Sequence, residues 1–371
     1  MLTYSFDPPT LEQWKNQLFK ELGAQQDRLL YQNHYESIAI DLTNFQSRYP
    51  HFPSKQTGSW YNLVKPYFAT EKQANARILE ALMQGATGVF IDPFFDASNP
   101  NELWKDVEKN YIQCYDSSQH WIDCFGWQQI GASAHDELAL AAIQAHAQLH
   151  DPSCQTLHIK MGVGPELFLE IAKFRALRYL LMRLQEIHGR AVELHVVAEI
   201  GFSNKSLKDP YTNLLRQSTE ALSAIAGGAD ALIVNPYDEL SSEGSDAFSR
   251  RMALNVSNLL QEEAHLDAVA DPLNGSYVIE ALSSALIDKA WECLQDFCDS
   301  HAFNNEQLTA YFKPRVEATR ALRLADFESK NKTLIGINAY PNTFETKTKQ
   351  WAPLPTEAGL PYLIYEMCAH S

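Results

Sequence analysis

Apolar residues recur at two spacings along this chain, and the two spacings predict alternating strands and helices. Runs such as 88–92, 156–163 and 192–199 are short and mostly apolar, which is typical of strands buried on both faces. Longer segments between them, such as 136–150 and 166–186, carry apolar side chains every three or four positions, as an α-helix does. Buried strands that alternate with helices predict an α/β fold, and at this number of units a (β/α) TIM-type barrel.

The signals are clearest between residues 245 and 295. Apolar side chains at helical spacing predict a helix that starts near Phe248. The short apolar run 266–270 ends before Pro272, which disfavours a helix at the residue that precedes it. We expect this run, centred on Val269, to be the closing strand of the barrel.

The predicted strands fall short of a full barrel between Ile91 and Trp121. Only about thirty residues separate the two, and at ~1.5 Å per helical residue and ~3.3 Å per strand residue they hold one helix and one strand. We therefore predict a reduced or distorted barrel over residues 56–300. An N-terminal arm at 1–55 and a C-terminal extension of helices and loops at 301–371 complete the predicted organisation.

Composition and charge narrow the classes of function. The chain has 371 residues, 45% of them hydrophobic, and a formal net charge of -16. Nucleic acids and anionic membranes attract basic surfaces, so neither is an expected partner. The six cysteines form no C-x-x-C pair, which favours reduced thiols over a disulfide framework. With no export signal and no long apolar run, we expect a cytoplasmic protein.

Charged and polar side chains stand near the carboxyl ends of the predicted strands, where barrel enzymes carry their sites. The candidates are Asp92, Lys160, Glu199, Asn235 and Asp238. Two interpretations stay open. The five residues form a rebuilt catalytic site at the barrel mouth, or Lys160 and Glu199, on neighbouring strands, form a structural ion pair, which is the more ordinary arrangement.

Two histidines have a spacing that suits a metal. His146 and His150 lie at i and i+4 on a predicted helix, so their side chains share one face. No H-E-x-x-H pattern accompanies them, and we expect no metal site.

The stretch that ends the predicted barrel resembles the methylmalonyl-CoA mutase family, whose members read approximately F-S-x-R-x-A-R-N, then E-E, then D-P-x-x-G-S-Y-x-x-E. In this chain the matching positions are Phe248 to Asn255, Glu262 and Glu263, and Asp271 to Glu280. The segment L-I-G-I-N-A-Y-P at 334–341 is similar to the family's post-barrel segment. The resemblance extends over roughly residues 5–342.

The resemblance also implies side chains inside the barrel that this chain lacks. Catalytic members carry Gly-Tyr-His where this chain has Cys-Phe-Gly, R-T-H-S-Q where it has L-H-V-V-A, and an Arg at the start of the preceding strand. The substituted positions are Phe125, Gly126, Thr156, Leu194, Val196 and Ala198. Each lost donor removes ~3–4 kcal/mol of transition-state stabilisation. We therefore expect no family catalytic residue in this chain.

The family's cobalamin-binding motif, D-x-H-x-x-G, is only imitated. Asp299-Ser300-His301 is followed by Asn304 where the motif has glycine, so we expect no cofactor bound by this chain. The resemblance is to the small, non-catalytic subunit of the mutase. It implies a large partner chain that holds adenosylcobalamin and isomerises methylmalonyl-CoA and succinyl-CoA. The N-terminal arm either contacts such a partner or lies along its own domain, and both interpretations stay open.

Two alternatives remain open beside this interpretation. The chain is a stand-alone enzyme with the rebuilt barrel-mouth site, or it has neither partner nor activity, in which case a homodimer is an option. Large apolar residues on the predicted strands are at least as consistent with a barrel interior that they fill as with an open one. These residues are Ile159, Met161, Val196 and Ile233.

Overall fold

The computed structural model describes residues 9–23, 29–43, 49, 52–53, 55, 57–66, 70–92, 98–116, 118–341, 350, 352 and 356–364. The helices are α1 (Leu11–Leu22), α2 (Glu71–Met83), α3 (Pro100–Leu103), α4 (Phe125–Ile130), α5 (Ala134–Leu149), α6 (Leu167–His188), α7 (Thr212–Ala226), α8 (Ala247–Asn258), α9 (Tyr277–Ser300) and α10 (Asn305–Glu328). The strands are β1 (Leu30–Asn33), β2 (Ile38–Asp41), β3 (Tyr61–Val64), β4 (Gly88–Phe90), β5 (Gln113–Tyr115), β6 (Trp121–Asp123), β7 (Thr156–Val163), β8 (Glu193–Ile200), β9 (Ala231–Ile233), β10 (Thr356–Glu357) and β11 (Leu360–Pro361).

Seven parallel strands form one curled sheet, in the order β5-β4-β3-β9-β8-β7-β6. Helices surround it, and the largest core lies between the outer face of the sheet and α5, α6 and α9. The prediction of an α/β fold with a reduced, distorted TIM-type barrel is confirmed. Among the described residues, no helix is both long and apolar enough to cross a bilayer.

The two edges of the sheet, β5 and β6, are consecutive in the chain and meet through side chains. Among the described residues between them, 116 and 118–120, there is no helix. The Trp121 ring lies edge-on to the Tyr115 ring, with centroids 5.2 Å apart, and the Trp121 Nε1 donates to the backbone oxygen of Asp116 at 3.0 Å. In the part of the chain that the structure describes, no backbone ladder joins β5 to β6. Tyr115 and Trp121 therefore form an aromatic seam that joins the two sheet edges, at the place where the sequence predicts missing strand–helix units.

The predicted closing strand around Val269 is wrong. Residues 266–268 form a 3-10 turn, and the Val269 side chain is largely exposed. A strand at this position would have no partner. β3 already pairs with β4 on one side and with β9 on the other, and β9 pairs in turn with β8. The mostly apolar run from Trp121 to Phe125 also predicts a strand, and the observed strand is shorter. β6 stops at Asp123, and Phe125 begins α4.

The strands alternate as a barrel requires, with one face inward and the other toward the helices. The inward side chains pack together and fill the middle of the barrel; they are Leu63, Phe90, Tyr115, Val197, Ala231 and Ile233, with Trp121 against them. Of the four residues predicted to fill the interior, Ile233 does so. Ile159, Met161 and Val196 instead belong to the outer core beneath the helices.

The N-terminal segment divides into two parts that behave differently. The β1–β2 hairpin is anchored, because the buried carboxylate of Glu36 accepts hydrogen bonds from the backbone N–H groups of Ala134 and His135 at the start of α5, at 2.7 and 3.0 Å. A carboxylate at a helix N-terminus satisfies N–H groups that have no partner within the helix. Helix α1 has no buried residue at all. The domain bounds at residues 55 and 300 stay a prediction.

Candidate functional site

A chain of four charged side chains crosses the barrel at the carboxyl ends of its strands. Lys65 follows β3, Asp123 ends β6, and Lys160 and Glu199 lie in β7 and β8. The Glu199 carboxylate lies between the two lysines, 3.1 Å from the Nζ of Lys65 and 3.3 Å from the Nζ of Lys160. Lys160 also contacts Asp123, at 2.7 Å. The positive and negative charges alternate along the line.

The centre of this chain is buried and its outer end is open to water. The Glu199 side chain is 0% exposed and Lys160 is 3% exposed, whereas Asp123 is 37% exposed. Burial alone would raise the pKa of Glu199, but the charges of Lys65 and Lys160 lower it to about 2. Burial alone would lower the pKa of each lysine, and the carboxylates around them raise it instead. All three buried groups are therefore charged at neutral pH.

Two more of the predicted residues join the network. The Nδ2 of Asn235 donates to Glu199 at 3.1 Å and to the backbone oxygen of Ile200 at 2.9 Å. Asp92 lies 3.3 Å from the Nζ of Lys65. Glu199 thus has a neutral donor beside its two counterions, which satisfies a buried charge better than one ion pair does.

Aromatic rings border the two lysines. The Lys160 Nζ lies 5.1 Å from the ring centroid of Phe90 and 5.3 Å from that of Phe125, and the Lys65 Nζ lies 5.9 and 5.6 Å from the same rings. These are cation–π distances, and such contacts gain strength away from water. The ammonium groups therefore have aromatic as well as carboxylate neighbours.

The C-terminal segment covers part of the mouth. Helix α4 starts beside β6, and the short strand β10 packs against it. The Glu357 carboxylate lies directly over Gly126, so that a side chain at residue 126 would overlap it. Burial and the charge of Asp123 raise the pKa of Glu357, while Lys160 lowers it in part. A carboxylate from the far end of the described chain thus belongs to the mouth.

The structure brings together most of the residues that the sequence singled out at the barrel mouth. Asp92, Lys160, Glu199 and Asn235 belong to one network, and Phe125 and Gly126 border it. Asp238 is buried in the turn after β9, and we assign it no part in the network.

Three positions that the family comparison places inside the barrel lie on its outside. Val196 and Ala198 belong to the core beneath the helices, and Leu194 packs against that core. The β8 side chains that face the barrel interior alternate with these three, and they include Val197 and Glu199. A shift of one residue exchanges the two faces of a strand. Leu194, Val196 and Ala198 therefore do not face the barrel interior, and Thr156 lies at the amino end of β7, away from the mouth. Their correspondence to the family's catalytic positions stays a prediction.

Sequence reasoning missed Lys65, Asp123 and Glu357. The mostly apolar runs 60–68 and 121–125 predict strands that contain Lys65 and Asp123, whereas β3 ends at Val64 and β6 ends at Asp123. No local signal identifies Glu357, because its position depends on how the C-terminal segment folds back on the barrel.

The triplet that imitates the cobalamin motif does not fit a corrinoid. His301 caps α9, its ring stacks on Phe297 at 5.1 Å, and its Nδ1 lies 2.9 Å from the Ser300 hydroxyl. A metal-ligating histidine of that motif is oriented by a carboxylate on its other nitrogen. Here a hydroxyl takes that place.

Comparisons with known proteins agree with the fold. The family model of methylmalonyl-CoA mutase matches residues 121–357. The methylmalonyl-CoA mutase small subunit of Porphyromonas gingivalis is 30% identical over 259 residues, which cover 68% of this chain and 41% of that one. The small subunit of Streptomyces virginiae is 31% identical over 255 residues, 65% of this chain and 41% of that one.

A relative that is not named a small subunit matches this chain over a smaller share of its own length. The methylmalonyl-CoA mutase of Escherichia coli is 29% identical over 227 residues, 60% of this chain and 32% of that protein. The chain thus spans less than half the length of these relatives. Because the family model matches more than half of the chain, including the strands that carry Asp123, Lys160 and Glu199, this protein belongs to the methylmalonyl-CoA mutase family.

Proposed function

We propose that this chain is a non-catalytic, small-subunit-like component of a methylmalonyl-CoA mutase. A large partner chain would hold adenosylcobalamin and carry out the isomerisation of methylmalonyl-CoA and succinyl-CoA. The observation that carries the proposal is the ion pairing at the barrel mouth, where the negative charge of Glu199 is balanced by the positive charges of Lys65 and Lys160. A catalytic site keeps its donors and charges available for the reacting atoms.

The position of the Glu357 carboxylate over Gly126 supports the same proposal. In the family comparison a catalytic histidine corresponds to this glycine, and here the Glu357 carboxylate lies against it. A negative group at this position would oppose the negative charge that develops on a thioester oxygen. The middle of the barrel, which would have to admit the acyl-CoA, holds the rings of Phe90, Tyr115 and Trp121.

Helix α1 is the part of the chain best suited to contact the partner. A capping box of Thr10 and Gln13 starts the helix, so it is well formed, yet Leu11, Trp14 and Phe19 are 48%, 38% and 39% exposed. An apolar helix face left in water is typical of a surface that another chain covers. The relatives named small subunits imply such a second chain, and a cytoplasmic location fits the free thiols of the described cysteines.

The alternative is a stand-alone enzyme with a rebuilt mouth. It is favoured by the exposure of Asp92 and Asp123, at 36% and 37%, which lets solvent reach the outer ends of the network. In that case Lys160 would have to give up its contacts with Asp123 and Glu199 to act on a substrate.

Co-purification distinguishes the two. The chain is expressed with the cobalamin-domain-bearing mutase chain of the same organism, and the expected result is one complex in gel filtration that contains both. The variant Trp14→Ser/Phe19→Ser removes exposed apolar side chains, so it should keep its fold and lose the complex. A wild-type chain that elutes apart from the large chain and turns over substrate alone contradicts the proposal.

A further inference from the structure

Three histidines from two helices meet on the outside of the barrel. His146 belongs to the last turn of α5, His150 caps that helix, and His188 ends α6. The Nε2 atoms of His146 and His150 are 3.4 Å apart, and the Nε2 of His188 lies 3.0 Å from the Nδ1 of His146. One ring nitrogen from each of the three lies within 4.8 Å of the others.

These separations suit a tetrahedral ion. Zinc–nitrogen bonds of ~2.0–2.1 Å place two ligand nitrogens about 3.3–3.4 Å apart. The pair formed by His146 and His150 already has this distance, and small rotations of the His188 ring would complete a three-nitrogen face. His150 is exposed, so an ion can reach the face from solvent.

The helix ends around the three rings favour a cation. The three residues lie at the C-terminal ends of α5 and α6, where the helix dipoles are negative. Each imidazole ring offers a nitrogen that can bind a metal ion.

We propose that His146, His150 and His188 bind one divalent transition-metal ion, best Zn²⁺, whose fourth coordination position is filled by water. Because the barrel helices run back against the strands, their C-terminal ends lie at the opposite end of the barrel from the mouth. The ion would join the end of α5 to the end of α6 and take no part at the mouth. The i, i+4 spacing along the sequence indicates two of the three ligands, His146 and His150. The third ligand, His188, comes from another helix.

The test uses the full chain without an affinity tag, stripped with a chelator and titrated with ZnCl₂ in a calorimeter. We expect one equivalent to bind with a dissociation constant in the micromolar range or tighter. His150→Gln and His188→Gln should each weaken binding by at least about tenfold. Titration with Co²⁺ should give the strong visible absorption of a four-coordinate site, which both variants lose.

The matched control is His265→Asn, an exposed histidine in the turn after α8 that has a positive φ, which asparagine accepts. It should bind Zn²⁺ as the wild type does. Circular dichroism and melting of the metal-free variants check that the fold is kept. Wild-type binding no tighter than millimolar, or cluster variants that bind as tightly as the wild type, would overturn the proposal.

Discussion

The carboxylate of Glu357 lies directly over the α-carbon of Gly126, in the space where a side chain at residue 126 would be. Gly126 is in the first turn of α4, and its backbone has no positive φ that would call for glycine. The space that a side chain at residue 126 would need is therefore taken by the movable end of the Glu357 side chain, and the backbone conformation itself does not require glycine. A residue from the C-terminal segment and a residue from the middle of the chain together decide the shape of the barrel mouth.

This relationship predicts the effect of Gly126→Ala. The added Cβ meets only the end of the Glu357 side chain, which can rotate away, so we expect a loss of no more than about 1 kcal/mol in unfolding free energy, the low end of the range for overpacked sites. The C-terminal segment that carries β10 should also become more sensitive to limited proteolysis. Urea unfolding and a protease time course measure the two effects.

The matched control is the double variant Gly126→Ala/Glu357→Ala, which removes the group that the new Cβ would meet. Adding Gly126→Ala to Glu357→Ala should therefore lower the unfolding free energy much less than adding it to the wild type does. If alanine at residue 126 is as harmful in that background, the contact with Glu357 is not its cause.

The ion network predicts a large effect for Lys65→Met. Glu199 is fully buried and would keep Lys160 as its only lysine partner. We expect a loss of about 3 kcal/mol, the low end of the range for removing one partner of a buried ion pair, because the second lysine remains. Urea unfolding of wild type and variant gives the difference.

The control for that substitution is Lys15→Met. Lys15 pairs with Asp41 at 3.4 Å on the surface, so its removal should cost no more than about 1 kcal/mol. The double variant Lys65→Met/Glu199→Gln should cost less than the sum of its two parts, since the buried charge is removed together with its counterion. Equal losses for Lys15→Met and Lys65→Met would contradict the buried network.

Glu199 also gives stability a defined dependence on pH. The nearby lysines outweigh burial and hold its folded-state pKa at about 2, below the ordinary value of 4.5. Such a carboxylate contributes stability that is fully present above pH 4.5 and is lost as pH falls toward 2. Glu199→Gln removes this contribution, so its unfolding free energy should fall less steeply with acid than that of the wild type. Glu263→Gln, an exposed control, should follow the wild-type curve.

The aromatic seam predicts the behaviour of Trp121→Ala. Trp121 packs against Phe90, Tyr115 and His158 and donates to the Asp116 backbone. Its removal leaves β5 and β6 without the contact that holds the sheet edges together, and we expect a loss of about 3–5 kcal/mol. Trp14→Ala, on the exposed helix α1, is the control and should change stability little. A small effect of Trp121→Ala would mean that the seam is held in another way.

Strand–helix alternation was enough to predict the barrel, and the short interval between Ile91 and Trp121 was enough to predict its defect. The closing strand at Val269 could not be judged from pattern, because its absence depends on β9 pairing with β3. A short apolar run has the same appearance whether or not a sheet edge is available to it.

The site was predicted less completely, for a physical reason. Lys160 and Glu199 stand out because charges in buried strands are rare, and the structure places them 3.3 Å apart. Which face a residue takes depends on register, and the sequence alone does not show that Val196 and Ala198 face the outside of the barrel. Glu357 joins the mouth through a long-range contact that no local pattern records.

Formation of succinyl-CoA from methylmalonyl-CoA by the isolated chain, with adenosylcobalamin added, tests the central claim most directly. The proposal of a non-catalytic component predicts no product above the buffer background, whereas the large chain assayed with this one should be active. Turnover that increases in proportion to the concentration of the isolated chain, and that Lys160→Met abolishes, would contradict it.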